Sequence, residues 1–346
     1  MEPYLLSNAV VVALLAGLGA ALVSAGRSRV WRDAGRELVR RRPIALAILL
    51  AYVAIGLLDS LAWVSGSSGG AMPGGDTVSL HKPRSAIDRL FPDDSYREKS
   101  YSAPLAEREF LGGAPLRHPG RHLLGTDILG RDVLYQTLKG ARVALLVGGF
   151  TTLIVIPLAL LFGVVAGYFG GRVDDVIFFL ISTLASMPGL LLLIALIMVL
   201  GRGPVQVCVA LGVTGWVGFA RVVRGETLKL RELDYVHAAR ALGASDARIV
   251  LRHIVPNLMH LVVITFVLTF SGLVLSEAVL SWLGIGIDGS WGRMIDQARD
   301  ELSRDPIIWW NLVSASFALF GLILAVNLLG DAVRDILDPR TLRERA

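Results

Sequence analysis

Between two charge-poor apolar runs, 205–223 and 258–282, stands a polar segment rich in Arg: Asp234-Tyr-Val-His-Ala-Ala-Arg-Ala-Leu-Gly243-Ala-Ser-Asp-Ala-Arg-Ile-Val-Leu-Arg-His-Ile-Val-Pro256-Asn257. Each flanking run is close to the roughly 20 residues that a helix needs to cross about 30 Å of hydrocarbon. A polar segment tied to a membrane span within a few residues at each end cannot swing free as a separate domain. It is held against one membrane face, where it can receive mechanical input from a soluble partner.

The rest of the chain has the same character. Apolar runs occur at about 4–25, 44–64, 143–168, 174–199, 205–223, 258–282 and 308–330. Only 18% of the 346 residues are charged, against roughly 25% in a soluble domain. Barrel strands would instead alternate over about ten residues. The fold class is therefore an all-α polytopic membrane protein in a lipid bilayer. The first run is longer than the apolar core of a signal peptide and has no basic residue before it, so it reads as a retained helix. Arg27, Arg29, Arg32, Arg36, Arg40, Arg41 and Arg42 face only Asp33 and Glu37 in the first connection. Cytoplasmic loops carry such an excess. This places the N-terminus outside and the second span running outward. Residues 66–140 are then an outer loop, opening on the Gly-rich stretch 66–75, and the Arg-rich 224–257 loop returns to the inside.

The net charge of +5 is explained by these Arg clusters beside spans, so nucleic acid is not an expected partner. Although the 234–257 segment reads as a helix-turn-helix, its tethers keep any recognition helix out of a groove. Lone Cys208 excludes a disulfide framework and a Cys-based zinc site.

Within the loop, Leu228, Leu230, Leu233, Val236, Ala239 and Leu242 recur at roughly helical spacing. Gly243 stands where a helix ends in a left-handed residue. Ser245 is a suitable N-cap and Asp246 suits the positive helix end. That second helix is expected to end near Val255, with Pro256 in the first turn of the next span. Ala238 and Ala239 are small enough for close approach. Pro157 and Pro188 interrupt spans and predict kinks. Trp309 and Trp310 read as interfacial aromatics.

Ionisable residues in spans are functional candidates by default. Glu277 reads as a hydrogen-bonding group within the bundle or, like Pro188, a possible gate or pathway residue. Asp59 reads as interfacial. His118 and His122 have a metal-like spacing, but Pro119 and Gly120 between them argue against a helical pair, so no metal or other cofactor is expected. Asp127, Arg131 and Asp132 read as local salt bridges or caps. The spans hold no Ser–His pair, paired Asp or His-Glu-x-x-His of an intramembrane protease, and a phosphate-binding Gly-x-x-x-x-Gly-Lys-[Ser/Thr] loop is lacking. The chain therefore reads as a transport subunit, not an enzyme.

Several words in order carry a resemblance. Leu124-Gly-Thr-Asp-Ile-Leu-Gly-Arg-Asp-Val-Leu134 with Lys139-Gly-Ala-Arg142, Ala166-Gly-Tyr-Phe-Gly-Gly-Arg-Val-Asp174, Ser186-Met-Pro-Gly-Leu190, the 234–257 loop, Leu275-Ser-Glu-Ala-Val-Leu-Ser-Trp-Leu-Gly284 and Asn327-Leu-Leu-Gly-Asp-Ala-Val-Arg-Asp-Ile-Leu-Asp-Pro339 resemble the dipeptide/oligopeptide/nickel class of ATP-binding-cassette importer permeases. The match is nearer to the second permease subunit of the pair, and the loop resembles that class's "EAA" loop. His237 departs from it, standing where the family has Glu.

The resemblance implies a type I importer transmembrane fold, a six-helix core, with one extra N-terminal helix. It implies a second, homologous permease subunit, ATPase subunits gripping a coupling helix at about 244–253, and an extracytoplasmic solute-binding protein. The coupling residues it implies are His237, Ala238, Ala239, Gly243, Ala244, Ser245, Asp246, Arg248 and Pro256. The expected organisation is an extra helix and basic loop at 1–43, a first core span at 44–65, the outer loop 66–140, a permease core at 141–335 and a cytoplasmic tail at 336–346. The setting is a bacterial or archaeal cytoplasmic membrane and the expected cargo is di- or oligopeptide. Nickel or another small chelate is the alternative cargo, and a channel or scaffold without ATP drive is the alternative class.

Overall fold

The computed structural model describes residues 35, 37–63, 84–91, 97–110 and 112–337. The expected span at 4–25, the Gly-rich stretch 66–75 and the end of the tail lie outside the described residues. The chain divides into two compact units, residues 1–143 with 289–322 and residues 144–288 with 323–346.

In the first unit, α1 (Pro43–Ser60) is followed by β1 (Ala62–Trp63), which pairs antiparallel with β2 (Arg84–Ser85). The short α2 (Ala86–Leu90) opens on a reciprocal cap: Ser85 Oγ accepts from Asp88 N–H and the Asp88 carboxylate accepts from Ser85 N–H, which satisfies two otherwise orphaned donors. Asp59 is only 2% exposed, contrary to its interfacial reading. Ser85 Oγ donates to it at 2.8 Å, and Lys139 and Arg142 lie 3.4 and 3.7 Å from its oxygens. A carboxylate buried without such partners would be costly.

Helix α3 (Val133–Phe169) starts ten residues earlier than its apolar run, because Asp132 Oδ1 accepts from Tyr135 N–H and caps it. Asp127 accepts from the backbone of Leu129 and Arg131 and from the Arg131 guanidinium. Both acids thus serve the local roles expected of them. His122 is buried, its Nδ1 2.8 Å from Asp132 and its Nε2 3.5 Å from Glu98. Trp310 is a core residue donating to Thr126 O at 3.0 Å, so only Trp309, 51% exposed, has the setting of an interfacial aromatic.

The second unit holds most of the spans. The run at 174–199 is not one helix: α4 (Gly171–Ser186) and α5 (Gly189–Leu200) meet at 93° across Met187 and Pro188. Met187 is extended there (φ −83°, ψ 137°), and Pro188 is also outside the helical region (φ −59°, ψ 113°). Pro188 disfavours helical backbone at Met187, which turns an expected kink into a full break. Pro157, by contrast, is accommodated inside α3.

Helix α6 (Pro204–Arg231) passes beyond its apolar run and packs closely on α3. Side chains added at Gly163 and Gly167 would meet Val223 and Thr227 at 2.7 Å and the carbonyls of Ala220 and Arg224 at 2.8 Å. This pair of glycines spaced four apart brings two backbones together, as small residues do in membrane helices. Next come α7 (Asp234–Ala241) and α8 (Asp246–Trp282). The amphipathic α9 (Trp291–Leu302) and the final α10 (Trp310–Leu337) complete the described elements. Counting the bent pair once, up to six spans among the described residues are long and apolar enough to cross a membrane.

Candidate functional site: the loop between α6 and α8

The loop differs from its sequence reading in two ways. The periodic run from Leu228 to Leu242 is divided. Helix α6 stops at Arg231, Leu233 is extended (φ −77°, ψ 143°), and α7 begins anew at Asp234, whose carboxylate suits the positive helix end. The second loop helix does not stop before Pro256 but continues to Trp282 as α8. A π-helical turn at Val250–Ile254, in which Val255 N–H bonds to Val250 O, precedes the proline. Such a widened turn lets the ladder absorb a residue that cannot donate.

The turn itself matches expectation. Gly243 has φ +81°, its N–H bonding to Arg240 O and that of Ala244 to Ala239 O, both at 3.0 Å. These bonds cap the orphaned carbonyls at the end of α7. Ser245 is extended as an N-cap should be, but its side chain makes no capping bond.

At eight residues, α7 is too short to be stable alone, whereas the four residues before the π turn are continuous with the rest of α8. Their orientation is set by burial. Val236, Ile249 and Ile254 are fully buried in the core of the unit, with Ala239, Ala244, Val250 and Val255 packed against it. Ala239 therefore faces this chain's own core, whereas Ala238 is exposed. His237, Gly243, Ser245, Asp246, Arg248 and Pro256 are exposed too, and Gly243 has open space around it. His237 Nε2 lies 3.8 Å from Glu232 Oε2.

Four hydrogen bonds that the sequence did not announce fasten the loop. Tyr168 donates to Asp246 Oδ1 at 2.6 Å; Arg240 donates to the Tyr168 hydroxyl at 3.3 Å and lies over its ring. The hydroxyl raises the Arg240 guanidinium above its already high pKa, so the charge is fixed. Arg231 donates to Gly167 O at 3.0 Å, and Asn257 donates to the Tyr235 hydroxyl at 3.0 Å. At the tip, Leu242 is 88% exposed, and Leu251 is 70% exposed.

The other two candidates stand apart from the loop. Pro188 is exposed at the α4–α5 break. Glu277 is buried near the far end of α8, accepting from Ser281 Oγ, about 46 Å from Asp246 along the helix at 1.5 Å per residue. It also faces Ile287 N–H at 3.4 Å. These are contacts within α8 and to the segment just after it.

Residues 159–343 match the family model described as binding-protein-dependent transport system inner membrane component. The chain belongs to that family. The family region includes α4, the loop and α8. Similar proteins include the dipeptide transport system permease protein DppC of Bacillus subtilis (strain 168), 39% identical over 64% of this chain and 70% of that protein. The glutathione transport system permease protein GsiD of Pectobacterium atrosepticum is 38% identical over 63% of this chain and 73% of that one. The oligopeptide transport system permease protein OppC of Haemophilus influenzae is 31% identical over 91% and 90%. As a member of this family the chain is an integral, multi-pass permease of an ATP-binding-cassette importer, a transport component rather than an enzyme.

Proposed function

We propose that this permease imports di- or oligopeptides across a bacterial or archaeal cytoplasmic membrane. In this reading it forms a translocation path with a second, homologous permease subunit and receives substrate from an extracytoplasmic binding protein. The 233–257 loop docks on an ATP-binding-cassette ATPase. Leu242 and the exposed faces of Ala238, Gly243, Ser245 and Arg248 meet the ATPase, while Ala239 and Ala244 seat the loop on the permease core. His237 takes the place of the family's Glu without an ionic role in docking. Pro188 and Glu277 serve as gate or pathway residues, at the broken span and at the far end of α8.

The observation that carries this reading is the exposed Leu242 beside the left-handed Gly243, between α7 and the start of α8, whose opposite faces are buried in the permease core. Peptide cargo rests on the names of the similar proteins. The test is labelled-peptide uptake and ATP hydrolysis by the complex of permease pair, ATPases and binding protein in liposomes. Leu242→Asp should release the ATPase and abolish uptake. Full uptake with Leu242→Asp and Gly243→Val alike would reject the docking assignment, and uptake of nickel but not peptide would reject the cargo.

A further inference from the structure

Tyr168 lies at the inner end of α3, 5% exposed, and touches every helical piece of the loop region. Its hydroxyl donates to Asp246 at the start of α8 and accepts from Arg240 in the last turn of α7. Its own carbonyl and that of Gly167 receive Arg231 NH1 from the end of α6, at 3.5 and 3.0 Å. Apart from the Asn257–Tyr235 hydrogen bond, which joins α7 to α8 within the loop region, the remaining hold on the loop is apolar, through Val236, Ile249 and Ile254, and apolar packing is non-directional. It resists separation more than it resists rotation or sliding. The hydrogen bonds at Tyr168 are directional, and they fix the angle of α7 and of α8 against α3 at one point.

We propose that Tyr168 is a positioning residue for coupling. Its phenol converts a push on the loop tip into movement of α3 together with α8, so that the two helices move as one. The proposal rests on the reading of the loop as the ATPase dock. It concerns how force leaves the dock, not how the dock is made.

Tyr168→Phe keeps the ring, its burial and its face toward Arg240, and removes both hydroxyl contacts. The measurement is peptide taken up per ATP hydrolysed by the complete complex in liposomes, alongside the melting temperature of that complex. In Tyr168→Phe the ratio should fall at least about fivefold, the low end of coupling between sites, while ATPase subunits remain bound. Asp246→Ala, which leaves the Arg240 contact in place, should lower it too, and the double variant should fall no further than Tyr168→Phe alone, because the Tyr168–Asp246 bond is already gone there. An unchanged ratio in Tyr168→Phe overturns the proposal, as do fully additive losses. A lower melting temperature with an unchanged ratio overturns it too, since that would be a structural role alone. Leu242→Asp separates the two ideas. If it releases the ATPase while Tyr168→Phe stays coupled, the dock stands and only the role of Tyr168 fails. If Leu242→Asp also leaves the complex assembled and coupled, the dock itself is wrong.

Discussion

The Arg224 guanidinium grips both carboxylate oxygens of Asp174, Nε to Oδ1 at 2.5 Å and Nη2 to Oδ2 at 2.6 Å. This fork ties α6 to the first turn of α4, just past the sharp turn at Gly170. Lys cannot reproduce the planar two-point contact. Arg224→Lys should therefore lower stability by about 1–2 kcal/mol, within the range of hydrogen bonds to charged groups. Thermal unfolding in detergent should show Asp174→Asn costing a similar amount and the double variant costing less than the sum.

Backbone strain, not crowding, should decide substitutions at Gly243. Its surroundings are open, and only its φ of +81° resists a side chain. Holding an L-residue left-handed costs about 1–2 kcal/mol, with β-branched residues at the high end. Gly243→Val should impair ATPase binding, measured by co-purification, and Gly243→Asn should do so far less. Because His237 is exposed and its contact to Glu232 is long, His237→Gln and His237→Glu should both retain coupling.

At the contact of α3 with α6, Gly163 admits nothing larger. Gly163→Leu should destabilise the permease by about 1–3 kcal/mol, the usual cost of overpacking, read as a lower melting temperature. Substitution at Gly149, which has open space beside it on the same helix, is the control.

The segments bearing Glu301 and Asp88 should respond to pH in two opposite ways. Burial pushes the Glu301 carboxyl above its ordinary 4.5; the Asn311 amide opposes this and nearby Asp127 adds to it. The Tyr101 hydroxyl also holds the carboxyl down, while Asn311 Oδ1 is buried beside it, and a proton on Glu301 adds a donor there. A raised carboxyl stabilises the fold below its unfolded pKa, and the contribution is lost as pH rises through the folded value. Glu301→Gln should therefore melt higher than wild type at pH 8, with the difference shrinking toward pH 4. For Asp88, burial alone would raise the carboxyl, but Lys139, Ser85 N–H and Tyr135 hold it down at about 2, from 3.8. Its contribution is present above pH 3.8 and lost as pH falls toward 2.

Membrane orientation is open to a direct test. In a Cys208→Ala background, a Cys at Ser245 should react with an impermeant thiol reagent only after the membrane is opened. A Cys at Ser303, exposed after α9, should react in intact cells. The reverse pattern would invert the topology read from the Arg clusters.

What was legible in the sequence follows from what each signal reports. Apolar length marked the spans, and the left-handed Gly243 was visible because few other residues end a helix that way. Hydropathy cannot see a break inside an apolar stretch, so α4 and α5 read as one span. Nor can periodicity see a stop such as Leu233, where the apolar spacing continues through a change of direction. Burial of Asp59 depends on Ser85, Lys139 and Arg142 arriving from elsewhere in the chain, which no local pattern records. Tyr168 stood in plain view inside the Ala166–Asp174 word, but its partners lie more than seventy residues away.

Helix α8 runs unbroken for 37 residues, roughly 55 Å at 1.5 Å per residue, while the hydrocarbon it crosses is about 30 Å thick. Its apolar stretch begins near Leu258, so much of the surplus lies at the end bearing Asp246, Arg248 and Arg252. In the proposed docking the loop is thereby carried on a stalk into the aqueous phase. A bulky soluble machine can seat against it without its flanks pressing into the lipid headgroups.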